Sequence, residues 1–128
     1  MEEGERQGRP SLVFVYNAES GVFNALADAA HKIFSPATYA CNLCALTHSA
    51  FGMRAGWRRF LESLGVSMEF LHADELRSRY PSASSPLPAV FVKEGGALRV
   101  LAGADAINAC RTTDELKRLI KEGLAAEG

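Results

Sequence analysis

Cysteine is scarce in this chain, three residues in 128, and the number is odd. A framework of structural disulfides, as small secreted domains use, is therefore not expected. Charge of one sign is missing too. Fourteen Lys and Arg stand against fifteen Asp and Glu, for a formal charge of -1, with neither a polybasic patch nor an acidic tail. That balance argues against a protein that grips nucleic acid through a basic face. No apolar run approaches the roughly 20 residues that span a bilayer. The start, Met1 to Pro10, is charged rather than built like a signal peptide. A cytoplasmic protein of bacterial type is expected, with no membrane or nucleic-acid partner. Repeats and low-complexity tracts are absent as well, which sets aside a solenoid or a linker-joined pair of domains.

What remains has the size of one domain, and 48% of it is hydrophobic. The first ten residues offer almost nothing to bury and are expected to form a disordered tail, leaving residues 11–128 as a single domain. Leu12 to Tyr16 is an unbroken apolar run, the pattern of a strand covered on both faces. Val22, Phe23, Leu26, Ala30, Ile33 and Phe34 then mark one face of a helix capped by Ser20 and stopped at Ser35-Pro36. A second helical face follows in Trp57, Phe60, Leu61 and Leu64, closed by Gly65. Between them lies an insertion of about residues 35–53 that holds two cysteines.

Val66, Met68 and Phe70 alternate with polar residues as a second strand, and Asp74 is placed to cap a short helix ending at Pro81. Ala89 to Val92 and Leu98 to Leu101 flank Gly95-Gly96 and predict an antiparallel hairpin. Thr112-x-x-Glu115 has the form of a capping box, ahead of a terminal helix with Leu116, Leu119, Ile120 and Leu124 as its stripe. The expected order is β, α, insertion, α, β, α, β, β, α.

The chemistry-bearing residues cluster in Cys41-Asn42-Leu43-Cys44 and His48. If the segment is helical throughout, the three lie within roughly 60° of one another on one face. Thiol–disulfide exchange needs an attacking cysteine where backbone N–H groups favour thiolate, with a resolving cysteine a turn later. Cys41 and Cys44 fit those two roles. Zinc would use the same thiols with His48 as third ligand and His31, His72, Asp74 or Cys110 as fourth. Plain core filling is the third reading, since cysteine is among the most buried residue types. Trp57 reads as core, Arg54, Arg58 and Arg59 as a solvated helix face, and Cys110 as a buried hydrophobe.

Leu87-Pro88-Ala89-Val90-Phe91-Val92, the Gly95-Gly96 turn, Gly103 and the terminal helix resemble the C-terminal half of thioredoxin-like proteins, where a cis-proline opens the third strand. FVYNAESG, from Phe14 to Gly21, resembles the strand and loop in which those proteins carry their Cys-x-x-Cys, although Ala18 to Gly21 contain no cysteine. The resemblance implies a thioredoxin-like α/β sandwich, with a central four-stranded mixed sheet and the cysteine pair displaced into the insertion. It further implies a ligand edge of Tyr16, Asn17, Glu19, Ser20, His72 and Asp74 at the ends of the first two strands. Pro88 would lie beside it, its cis bond exposing backbone to an extended protein thiol or redox partner. SPATYACNLCALTH is also similar to a stretch in a small bacterial group sometimes labelled GTPase. The chain has no Gly-x-x-x-x-Gly-Lys-Ser/Thr loop to hold phosphates, and that activity is set aside.

Overall fold

A computed structural model describes residues 11–18, 41–49 and 52–127. The expected tail, the helix of Val22 to Phe34, and the site residues Glu19, Ser20 and His31 lie outside them, as does the first part of the insertion. The described elements are β1 (Ser11–Val15), α1 (Asn42–Thr47), β2 (His48–Ser49), β3 (Gly52–Met53), α2 (Ala55–Leu64), β4 (Ser67–Leu71), α3 (Ala73–Arg79), β5 (Ala89–Glu94), β6 (Ala97–Ala102), α4 (Ala104–Ala109) and α5 (Thr113–Glu127). They make a mixed α/β fold of five helices around a four-stranded mixed sheet ordered β4-β1-β5-β6.

β1 is central because its five residues are all buried. It pairs in parallel with β4, Ser11 opposite Ser67 through Val15 opposite Leu71, and antiparallel with β5, Val15 opposite Ala89. A strand buried on both faces has no polar side to offer water, which is what the unbroken run Leu12 to Tyr16 encodes. Leu12, Phe14 and Tyr16 face a core with Leu43, Trp57, Leu61, Ile107, Leu116 and Ile120. Val13 and Val15 face the other way, toward Leu71, Leu76 and Phe91. Helices α1, α2, α4 and α5 thus cover one face, and α3 packs on the opposite one. Each fully buried Leu or Ile contributes about 1.5–3 kcal/mol of transfer free energy, so this double burial holds the sheet at its centre.

Phe14 stacks on its register partner Phe70 at 5.1 Å and meets the edge of Trp57 at 6.2 Å. Trp57 is buried, as its helical spacing predicts. The β5–β6 hairpin turns through Gly95 and Gly96 at φ 59° and 98°, a region costly for residues with a Cβ. The peptide bond between Leu87 and Pro88 is cis.

Three expectations need correction. The helix after β4 is capped by His72 rather than Asp74: the His72 backbone N–H donates to Glu75 Oε1 at 2.8 Å, and the carboxylate reaches back as in a capping box. The box at Thr112 is only half made, because Glu115 N–H donates to Thr112 Oγ1 at 3.1 Å while Glu115 Oε1 accepts from Arg111 N–H at 2.7 Å. Residues 104–109, unassigned above, form α4. Gly103 precedes it, Asp105 lies in its first turn, and Ala104 and Ile107 are buried one turn apart. No helix among the described residues is long and apolar enough to cross a membrane.

Candidate functional site

Cys41 and Cys44 are joined as a disulfide, with Cα atoms 5.3 Å apart. Their helix is short, six residues, and Cys41 is its N-cap in an extended conformation. Cys41 Sγ accepts the N–H of Cys44 at 3.3 Å, and Cys41 C=O accepts that of Ala45 at 3.0 Å. A second backbone donor arrives from far away in the chain: Asn17 N–H points at Cys41 Sγ at 3.4 Å. The pair displaced in sequence is therefore brought back to the C-terminal end of β1. Ala18 and Tyr16 keep that end in register with β4, through Tyr16 N–H to Leu71 C=O and Ala73 N–H to Ala18 C=O, both 2.9 Å. The β1–β5 register sets Pro88, next to Ala89, at the same end. Pro88 is buried, however, so the exposed backbone expected there is not offered. Tyr16, at the same end, is buried as well.

Cys44 is fully buried and Cys41 retains 5% exposure. Both residues belong to one buried core, with Cys41 the marginally less covered of the two.

His48 does not share their helical face. The helix stops at Thr47, whose Oγ1–H donates to Leu43 C=O at 2.6 Å and whose C=O accepts Arg54 N–H at 2.8 Å. His48 takes extended backbone instead and enters β2, paired with Met53. Its ring lies edge-on to Tyr16 at 5.5 Å, while His72 lies at 5.9 Å from Tyr16. Because the Thr47 hydroxyl hydrogen goes to Leu43, His48 Nδ1–H is the donor in the 2.8 Å contact with Thr47 Oγ1. The tautomer is thereby fixed. Burial, then Arg54, Arg58 and His72, hold the His48 pKa below the ordinary value, so the ring is neutral near pH 7. Burial likewise pushes the Tyr16 hydroxyl far above its usual range. Glu75 is held below the carboxylate range, first by the His72 backbone N–H and then by its side chain.

Zinc would need Cys41 and Cys44 as free thiolates, and in this structure the two sulfurs are bonded to one another. His48 bonds Thr47 Oγ1 through Nδ1, and His31 lies outside the described residues. Among the described residues no three His, Cys, Asp or Glu side chains gather around a common point for a metal ion. Cys110 is a free thiol, half-buried and packed against the edge of the core.

Sequence reasoning missed the residues that fasten α1. A helix leaves its last four carbonyls without internal partners, and each of these is met. His48 N–H serves Cys44, Arg54 Nη2 reaches Ala45 at 3.5 Å, Thr113 Oγ1 serves Leu46 at 2.7 Å, and Arg54 N–H serves Thr47. At the other end Asn42 Nδ2 donates to both Ile107 C=O at 2.7 Å and Cys110 C=O at 3.0 Å. The tandem Thr112-Thr113 before a helix was a visible signal, but only one of the two was needed as a cap. Comparison with protein-family models, with curated proteins and with solved structures gives no match.

Proposed function

We propose that the chain is a thioredoxin-like protein whose Cys41–Cys44 pair performs thiol–disulfide exchange with a protein thiol or disulfide partner. The observation that carries this reading is the seat of Cys41: a bonded cysteine at a helix start, its sulfur met by two backbone N–H groups, at the C-terminal end of the central strand. The sheet order β4-β1-β5-β6, with β4 parallel and β5 antiparallel to β1, supports the thioredoxin-like assignment.

In the reduced protein the Cys41 thiolate attacks a substrate disulfide. A Cys41–substrate disulfide forms, the substrate S–S bond breaks, and one substrate thiolate leaves and takes a proton from water. Cys44 then gives up its proton and attacks Cys41 Sγ, restoring the Cys41–Cys44 bond and expelling the second substrate thiolate. Two electrons pass from protein to substrate, and a dithiol reductant returns them. The N–H groups of Asn17 and Cys44 stabilise charge on Cys41 sulfur, which is where it resides in the attacking species.

Insulin reduction with dithiothreitol as the terminal reductant tests this. The protein should accelerate insulin precipitation several-fold over dithiothreitol alone, and Cys41→Ser or Cys44→Ser should return it to background. Variants that match the unaltered protein would remove the pair from the chemistry.

A further inference from the structure

The cysteine helix has only six residues. Isolated helices shorter than about 12–15 residues are marginal in water, because the cost of nucleation is not recovered. While the disulfide is closed, the covalent bond itself fixes the first turn. Once it opens, something else must keep Cys41 and Cys44 one turn apart, or the two thiols separate and closure becomes slow and unfavourable.

We propose that Asn42 and Thr113 are positioning residues that clamp this helix to the α4–α5 corner and keep the thiols in place when the pair is reduced. The proposal rests on the exchange reading above. Asn42, inside the motif, spends both amide hydrogens on the terminal carbonyls of α4, Ile107 at 2.7 Å and Cys110 at 3.0 Å. Those carbonyls lie 65 and 68 residues away in sequence, so the bonds are independent of the local turn. Thr113, the first residue of α5, ties the other end by donating to Leu46 C=O at 2.7 Å. Neither bond involves a sulfur atom. The clamp therefore acts on geometry alone: it raises the effective concentration of one thiol at the other, which favours the disulfide.

The test measures the dithiol–disulfide equilibrium of the full chain against glutathione, for the unaltered protein, Asn42→Ala and Thr113→Val. Thr113→Val keeps shape and removes the hydroxyl at the end of the helix remote from Cys41, so it also serves if Asn42→Ala folds poorly. Thr113→Val should shift the equilibrium toward the dithiol by about two- to tenfold, the factor equivalent to one net hydrogen bond, and Asn42→Ala, which loses two, by at least as much. In the reduced proteins, amide exchange at Ala45, whose N–H closes the first turn on Cys41 C=O, should be protected in the parent and faster in both variants. Unchanged equilibria with unchanged protection in both variants would overturn the clamp. The glutathione equilibrium needs no physiological partner, so the two proposals fail separately. An inactive protein in the insulin assay with shifted variants removes the exchange reading only, and an active one with unshifted variants removes the clamp only.

Discussion

Asn17 and Cys41 are 24 residues apart in the chain, yet the backbone N–H of one points at the sulfur of the other across 3.4 Å. Asn17 lies two residues past the end of β1, and Cys41 is the N-cap of α1. The contact sets a sulfur at the mouth of the parallel pair β1–β4, where open α/β sheets bind their ligands. Cys41 and Cys44 share one buried core with Leu43 and Trp57, Cys44 fully covered and Cys41 5% exposed. Position in the sheet, rather than position in the sequence, thus decides which of the two buried cysteines keeps any exposed surface.

Unequal access has a direct chemical consequence. In the reduced protein Cys41 should react with a bulky maleimide much faster than Cys44, which has no exposed surface. Cys44→Ser should accumulate a mixed disulfide at Cys41 when given a disulfide substrate, because the resolving thiol is gone. Cys41→Ser should accumulate almost none. Mass spectrometry of the trapped adducts checks both, and equal labelling of the two single-cysteine variants would contradict the assignment of attacking and resolving roles.

How far the sequence led depends on how local each signal is. The run Leu12 to Tyr16 marked the central strand because double burial shows in every residue. Gly95-Gly96 marked the hairpin because the turn needs positive φ at those positions. Helix α4 escaped notice because six residues give barely one repeat of a helical stripe, and the buried Ala104 and Ile107 look like isolated apolar residues. His48 leaves the cysteine face for a tertiary reason: Arg54 N–H takes the Thr47 carbonyl, and the chain enters β2 before the helix reaches His48. The nearness of Cys41 to β1 had no local signal at all, since it is set by a contact 24 residues long.

His48 predicts a pH dependence. Its folded pKa lies below the ordinary value of 6.5, so the unfolded chain binds its proton first as pH falls. Stability is unaffected above the ordinary value, declines as pH falls below it, and levels off once the folded ring is also protonated. Urea midpoints should fall between pH 7.5 and pH 5, and His48→Gln should flatten that fall. Glu75 works in a lower window: its folded pKa is depressed, so the stability it adds is present above the ordinary carboxylate value and is lost only below it. An identical slope in His48→Gln between pH 7.5 and 5 would show that another group carries the dependence.

Cys110 is the free thiol when the pair is closed. Burial first, and then the nearby Glu115 carboxylate, push its pKa up from 9.0. The oxidised native protein should therefore consume one equivalent of iodoacetamide per chain, slowly at pH 7.5 and faster toward pH 10. Glu115→Gln keeps an oxygen to accept from Arg111 N–H and removes the charge, so it should speed the reaction modestly at pH 7.5. A rate as fast as that of the urea-unfolded thiol would show that neither burial nor Glu115 restrains it.

Gly123 interrupts α5, where alanine would favour the helix by about 0.8–1 kcal/mol. A Cβ built there would lie 2.6 Å from Leu101 Cδ2 and 2.8 Å from Leu101 Cγ. Rotating the end of the leucine could clear the first contact but not the second, because Cγ moves only if χ1 changes. Crowding of this kind costs about 1–3 kcal/mol, which exceeds the propensity gain. Gly123→Ala should therefore destabilise the protein, whereas the same change made on Leu101→Ala should stabilise it by about 0.8–1 kcal/mol. Urea denaturation of the four proteins closes a double-mutant cycle on the pair. A stabilising Gly123→Ala in the presence of Leu101 would show that β6 yields to α5, and that close approach of the two elements is not what requires glycine at this position.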